Sequence, residues 1–123
     1  MIKNLLLVLL GGGLGSMARY LLSYFFTKNN TTLFPWATFI ANAVGCLLIG
    51  LLFGYIQKNN LQNETIKLLL ITGFCGGFTT FSTFSLENIQ FIQNQNYNLA
   101  LMYTLASVFV GFIAVIIGFK LFN

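Results

Sequence analysis

The chain is 123 residues long, 57% apolar and only 7% charged, whereas soluble domains run at about 45–50% apolar and about 25% charged. So little charge cannot cover a water-exposed surface, and four bilayer crossings of about 20 residues each use up the length, leaving no separate soluble domain. The net charge of +4 comes from Lys3, Arg19, Lys28, Lys58, Lys67 and Lys120 set against two acids; these bases form no cluster, which excludes nucleic acid as a partner.

The reading is therefore an all-α integral membrane protein, a single four-span domain over residues 1–123 with the lipid bilayer of the cell membrane as its solvent. The first span runs from about Ile2 to Phe26, where Thr27-Lys28-Asn29-Asn30 closes it. Lys3, the run Leu5–Leu10 and the triplet Ser16-Met17-Ala18 have the pattern of a signal peptide. Apolar residues resume at Leu21, however, so the segment reaches full spanning length. The second span runs from about Leu33 to Ile56 and ends at Gln57-Lys58-Asn59-Asn60. The third begins near Thr65, and the fourth covers about Leu99 to Phe122, with Asn94-Gln95-Asn96 between them.

The third span is unlike the others. From Gly73 it reads Gly-Phe-Cys-Gly-Gly-Phe-Thr-Thr-Phe-Ser-Thr-Phe-Ser, and paired glycines beside hydroxyl residues predict a helix broken in mid-membrane. Carbonyls freed there must be buried in protein or line a cavity, and broken membrane helices build ion sites from them. Glycines also recur at four-residue spacing, as Gly11 and Gly15, Gly50 and Gly54, Gly73 and Gly77. Such pairs let helices approach closely, either across a subunit interface or, the reading favoured here, within one subunit. Cys46 and Cys75 lie in apolar stretches and read as small buried hydrophobes.

Catalysis has little to work with. The chain has no His, and its acids are Glu64 and Glu87, so neither a triad nor an acid–base pair can be built. Polar residues inside spans mark functional positions instead, because lipid penalises them. Thr38, Asn42 and Gly45 share one face of the second span, and the two N–H donors of Asn42 serve either a helix–helix hydrogen bond or a polar path. Thr80, Thr83, Glu87 and Gln90 form a stripe on the third, and Tyr103, Ser107 and Gly111 one on the fourth. Arg19 lies about two turns, roughly 10 Å, before the end of the first span. It either snorkels to the interface or sets a positive charge at a pore mouth. No acid precedes Glu64 to neutralise it, which points to an anion pathway. Phe74, Phe78, Phe81 and Phe84 have the spacing of packing residues, but a phenyl edge also carries the positive end of its quadrupole and can face a small anion.

The run Gly73–Ser85, the stretch Gly11–Tyr20 and Asn42 followed by Gly45 resemble the Fluc (CrcB) fluoride channels over the whole chain. The resemblance implies an antiparallel, dual-topology homodimer that exports fluoride passively. It implies a structural sodium ion at the centre, held by the Gly76 and Thr79 carbonyls of each copy. It further implies that Asn42, Phe81 and Phe84 contact the anion, with Ser82, Thr83, Tyr103 and Ser107 on a polar track and Arg19 near the aqueous vestibule. Lys3, Lys58, Lys67 and Lys120 fall on one side of the membrane and Lys28 on the other, a distribution that favours a single orientation. Two other classes fit the size. A proton-coupled multidrug exporter needs a carboxylate in the first span, and none is there. A non-transporting assembly subunit needs no aligned polar stripes, and they are present.

Overall fold

The computed structural model describes residues 1–29 and 32–122. Asn30, the last residue of the first expected boundary, lies outside the described residues. The described chain is helical, with α1 at Ile2–Asn29, α2 at Trp36–Lys58, α3 at Glu64–Ile66, a π-helix at Lys67–Cys75, α4 at Gly76–Phe78, α5 at Phe81–Gln93 and α6 at Tyr97–Leu121. Four helical spans, Ile2–Asn29, Trp36–Lys58, Glu64–Gln93 and Tyr97–Leu121, are long and apolar enough to cross a membrane. The outward surface carries Leu9, Met17, Phe109 and Phe112, all more than half exposed, as lipid-facing helices require.

Two boundaries differ from the sequence expectation. α1 continues through Thr27 and Lys28 to Asn29, because polar residues at a membrane surface are compatible with a helix whose backbone bonds are already formed. α2 starts at Trp36 rather than near Leu33, since Pro35 fits the first turn of a helix and nothing further in. The connections after α2 and α5 have local causes. Asn60 and Gln95 take positive φ of 50° and 63°. Amides then reach back from Leu61 to the Ile56 carbonyl at 3.0 Å and from Asn96 to the Phe91 carbonyl at 2.7 Å. This six-to-one closure is the Schellman turn that ends helices.

The spans pack in pairs. A Cβ on Gly11 or Gly15 of α1 would run into the carbonyls of Leu69 and Phe74, and one on Gly77 would run into that of Gly12. On the other pair, a Cβ on Gly50 of α2 would meet the carbonyl of Val115, and one on Gly54 that of Phe119 at 2.6 Å. Without a hydrophobic force between helices in lipid, such close backbone approach is what holds them. The expected glycine pairs thus pack helices within the subunit. Gly118 of α6, facing the Leu47 carbonyl at 2.5 Å, completes the second seam.

The third span is not uniform. Its π-helix precedes α4, a rare geometry frequent at functional sites. Between α4 and α5, Thr79 (φ −86°, ψ 157°) and Thr80 (φ −152°, ψ 121°) are extended.

Candidate functional site

Extended backbone inside a membrane exposes amides and carbonyls with no helical partner, and each must find one. Thr79 turns its amide and hydroxyl back to the Cys75 carbonyl, at 3.0 and 2.8 Å. Thr80 is met from α2 by Asn42. Its amide donates to Asn42 Oδ1 at 2.8 Å, and Asn42 Nδ2 donates to the Thr80 carbonyl at 3.1 Å. One carboxamide thereby gives an acceptor to the amide that the extended residue has taken out of the helix and a side-chain donor to its carbonyl. Gly45, one turn along α2, is what admits the approach: a Cβ there would collide with the Thr79 methyl.

The helix then restarts with its own cap. Thr80 Oγ1 accepts from the Thr83 amide at 3.2 Å, the standard first bond of a capped helix, and lies 3.2 Å from Ser82 Oγ. Arg19 reaches across from α1, its Nε donating to the Gly77 carbonyl at 3.2 Å. The guanidinium is thus tied to the segment just before Thr79 rather than extended freely toward water.

A second polar node lies one to two turns further along α5. Glu87 Oε2 accepts from Thr38 Oγ1 at 2.8 Å, and Glu87 Oε1 accepts from the Tyr103 hydroxyl at 2.7 Å. Tyr103 is fully buried and Thr38 nearly so. Phe84 packs on Tyr103 with ring centroids 4.9 Å apart.

Between α2, the third span and α6 a cavity of about 650 Å³ collects Asn42, Gly76, Thr79, Phe81, Phe84 and Ser107. These six come from three of the four spans, and each is a candidate by sequence. Ser107 Oγ is buried and has no hydrogen-bond partner among the described residues. Phe81 is 78% exposed while Phe84 is half-buried, their centroids 5.9 Å apart. Four other candidates lie off the cavity wall. Arg19 holds the Gly77 carbonyl, Thr83 gives its backbone amide to Thr80 Oγ1, Ser82 is exposed beside Thr80, and Tyr103 sits behind Phe84.

Glu87 and Thr38 belong to the polar faces read from the sequence, which assign them no role of their own. The signal was there: Thr38 lies one turn before Asn42, and Glu87 is the acid set well inside a span, Glu64 standing at the start of the third. Their bond joins residues 49 positions apart, which stripe periodicity does not reveal.

The sequence profile of the family described as "CrcB-like protein, Camphor Resistance (CrcB)" matches residues 6–119. A protein of Flavobacterium psychrophilum named "Fluoride-specific ion channel FluC" is 51% identical over 112 residues, covering 91% of this chain and 90% of its own. The protein of that name from Azobacteroides pseudotrichonymphae is 45% identical over 98% of this chain and 97% of its own. One from Gloeothece citriformis is 49% identical over 96% and 95%.

Proposed function

Because the chain belongs to the CrcB family, we propose that it is a fluoride channel subunit of the cell membrane, a conducting protein and not an enzyme. One observation carries the reading to the residues: an open groove of about 650 Å³ between the spans, lined by Asn42, Phe81, Phe84 and the unpartnered Ser107 hydroxyl. Small-anion passage needs positive ring edges and N–H or O–H donors without a full charge that would trap the ion. Asn42 has one amide hydrogen beyond the bond it gives Thr80. Fluoride that enters a cell as its neutral weak acid ionises inside, so a passive anion path suffices for export.

The third span is read as a membrane helix broken at Thr79 and Thr80, and the break as one half of a sodium site. Thr80 gives its amide to Asn42, which leaves the Gly76 carbonyl without the amide four residues on. Gly76 is exposed, and around its Cβ position the nearest atom is the Ile71 carbonyl oxygen at 3.9 Å. No grouping of three acids, cysteines or histidines exists among the described residues, so backbone oxygens are the natural ligands for a hard cation. Gly76 and Thr79 from two facing copies supply four. Sodium held there by the Gly76 and Thr79 carbonyls would offset dipoles that lipid leaves uncompensated.

A second, antiparallel copy is the natural cover for this open groove, and it explains why Phe81 is left 78% exposed. Fluoride efflux from liposomes holding only the purified protein tests the function. Fluoride should leave far faster than chloride, because the wall must replace a tight hydration shell with close, fixed donors. Equal rates overturn the reading.

A further inference from the structure

We propose that Phe34, in the connection between α1 and α2, is a positioning residue for the anion path: it braces Tyr103 and, through Tyr103, fixes the ring of Phe84. The inference rests on the reading of Phe84 as an anion ligand.

The local chain explains why this ring points inward. Pro35 has φ −80° and ψ 74°, and the Trp36 amide donates to the Phe34 carbonyl at 2.9 Å. Together these make an inverse γ-turn, with proline holding φ near the required value. The Phe39 amide then closes on the Pro35 carbonyl at 3.1 Å, so the turn runs straight into α2. Phe34 is half-buried. Its ring meets Tyr103 edge-on, centroids 5.4 Å apart at 79°, and meets Phe39 at 5.4 Å and 71°.

Tyr103 is where this contact matters. No part of it is exposed. The rings of Phe34, Phe84 and Phe91 surround it, and Glu87 holds its hydroxyl. Phe84 leans on Tyr103 from one side and lines the cavity with the other. A ring edge attracts an anion only while the ring keeps its angle. Without Phe34, the wall of the Tyr103 pocket nearest the α1–α2 connection is lost. Tyr103 then gains room to turn, and Phe84 loses the surface that fixes its tilt.

The test is fluoride and chloride efflux from liposomes with the full-length protein carrying F34A, F34L, F34Y or F84I, each checked for monodispersity. F34A and F34L should lower fluoride efflux by about tenfold, the upper end of an aromatic contact's worth, and narrow the fluoride-to-chloride ratio. F34Y keeps the ring and should stay near the parent. Leucine preserves apolar bulk, so a purely packing role predicts parental flux and ratio for F34L. That result overturns the proposal, as does an F34Y no better than F34L. Should F34A fail to assemble, the F34L and F34Y pair still decides. Parental F34L beside a silent F84I rejects the role of Phe34 and leaves Phe84 in place. A normal F84I instead removes the reading beneath both.

Discussion

Asn42 and Thr80 bind each other in both directions, side-chain oxygen to amide at 2.8 Å and side-chain nitrogen to carbonyl at 3.1 Å. The residue singled out as an anion donor is thus also the clamp that holds the extended backbone against α2. Replacing it separates the two roles. N42D keeps the acceptor for the Thr80 amide but sets a carboxylate beside the Thr80 carbonyl and the cavity. Losing that side-chain hydrogen bond costs about 0.5–1.5 kcal/mol. We expect fluoride efflux near background from a protein that still elutes as a defined species on size exclusion. Parental efflux from N42D removes Asn42 from the pathway.

Phe81 and Phe84 should part company in stability while agreeing in flux. Phe81 is 78% exposed within the subunit, so F81I should change subunit stability by no more than about 0.5 kcal/mol. F84I gives up a ring contact with Tyr103 and should cost about 0.5–1.5 kcal/mol. Both substitutions keep apolar bulk and delete the positive ring edge, so both should nearly abolish fluoride efflux. Thermal melts run beside efflux separate the cases, and normal flux in both variants returns the two rings to packing.

The tyrosine hydroxyl offers a stability test independent of transport. Y103F leaves the part-buried Glu87 Oε1 without the donor it has at 2.7 Å, a hydroxyl carried on a fully buried tyrosine. The loss should be about 1–3 kcal/mol, read as a lower midpoint in detergent. T38V, which strips the other oxygen of its donor, should act in the same direction. Unchanged midpoints for both show that the node adds nothing to stability.

The glycine seams predict a sharp positional contrast. G50A drives a methyl into the Val115 carbonyl, whereas around Gly13 nothing lies within 4 Å of a new Cβ. Overpacking of the first kind costs about 1–3 kcal/mol. G13A should be neutral or slightly stabilising, since alanine is the better helix former. Equal melting of the two variants contradicts the seam.

The lysine distribution bears on assembly. α1 begins, α2 ends, the third span begins and α6 ends on the face that holds Lys3, Lys58, Lys67 and Lys120, and Lys28 lies on the other. Such asymmetry directs the richer face to the cytoplasm. A C-terminal reporter should therefore read mostly cytoplasmic, and K58Q with K120Q, which leave two lysines against one, should bring the two orientations closer to even. If antiparallel pairs form the channel, evening them should raise the yield of dimer. A reporter split equally in the parent protein contradicts the bias.

Membrane residence, the number of spans, the glycine pairs, the polar stripes and the special run from Gly73 to Ser85 were legible in the sequence alone. Each follows from composition or from a spacing of a few residues, and lipid makes such local patterns decisive by forbidding unpaired backbone. Pro35 and the Asn-rich connections likewise acted where they stood. The partners of the polar side chains were another matter. Arg19 with Gly77, Thr38 with Glu87 and Asn42 with Thr80 are separated by 58, 49 and 38 positions. A hydrogen bond selects its partner by distance and direction in space, and those are set only once the two glycine seams bring the helices together. Tertiary packing alone decided that Phe81 lies open, that Phe84 rests on Tyr103, and that the Asn42 carboxamide serves the chain's own backbone.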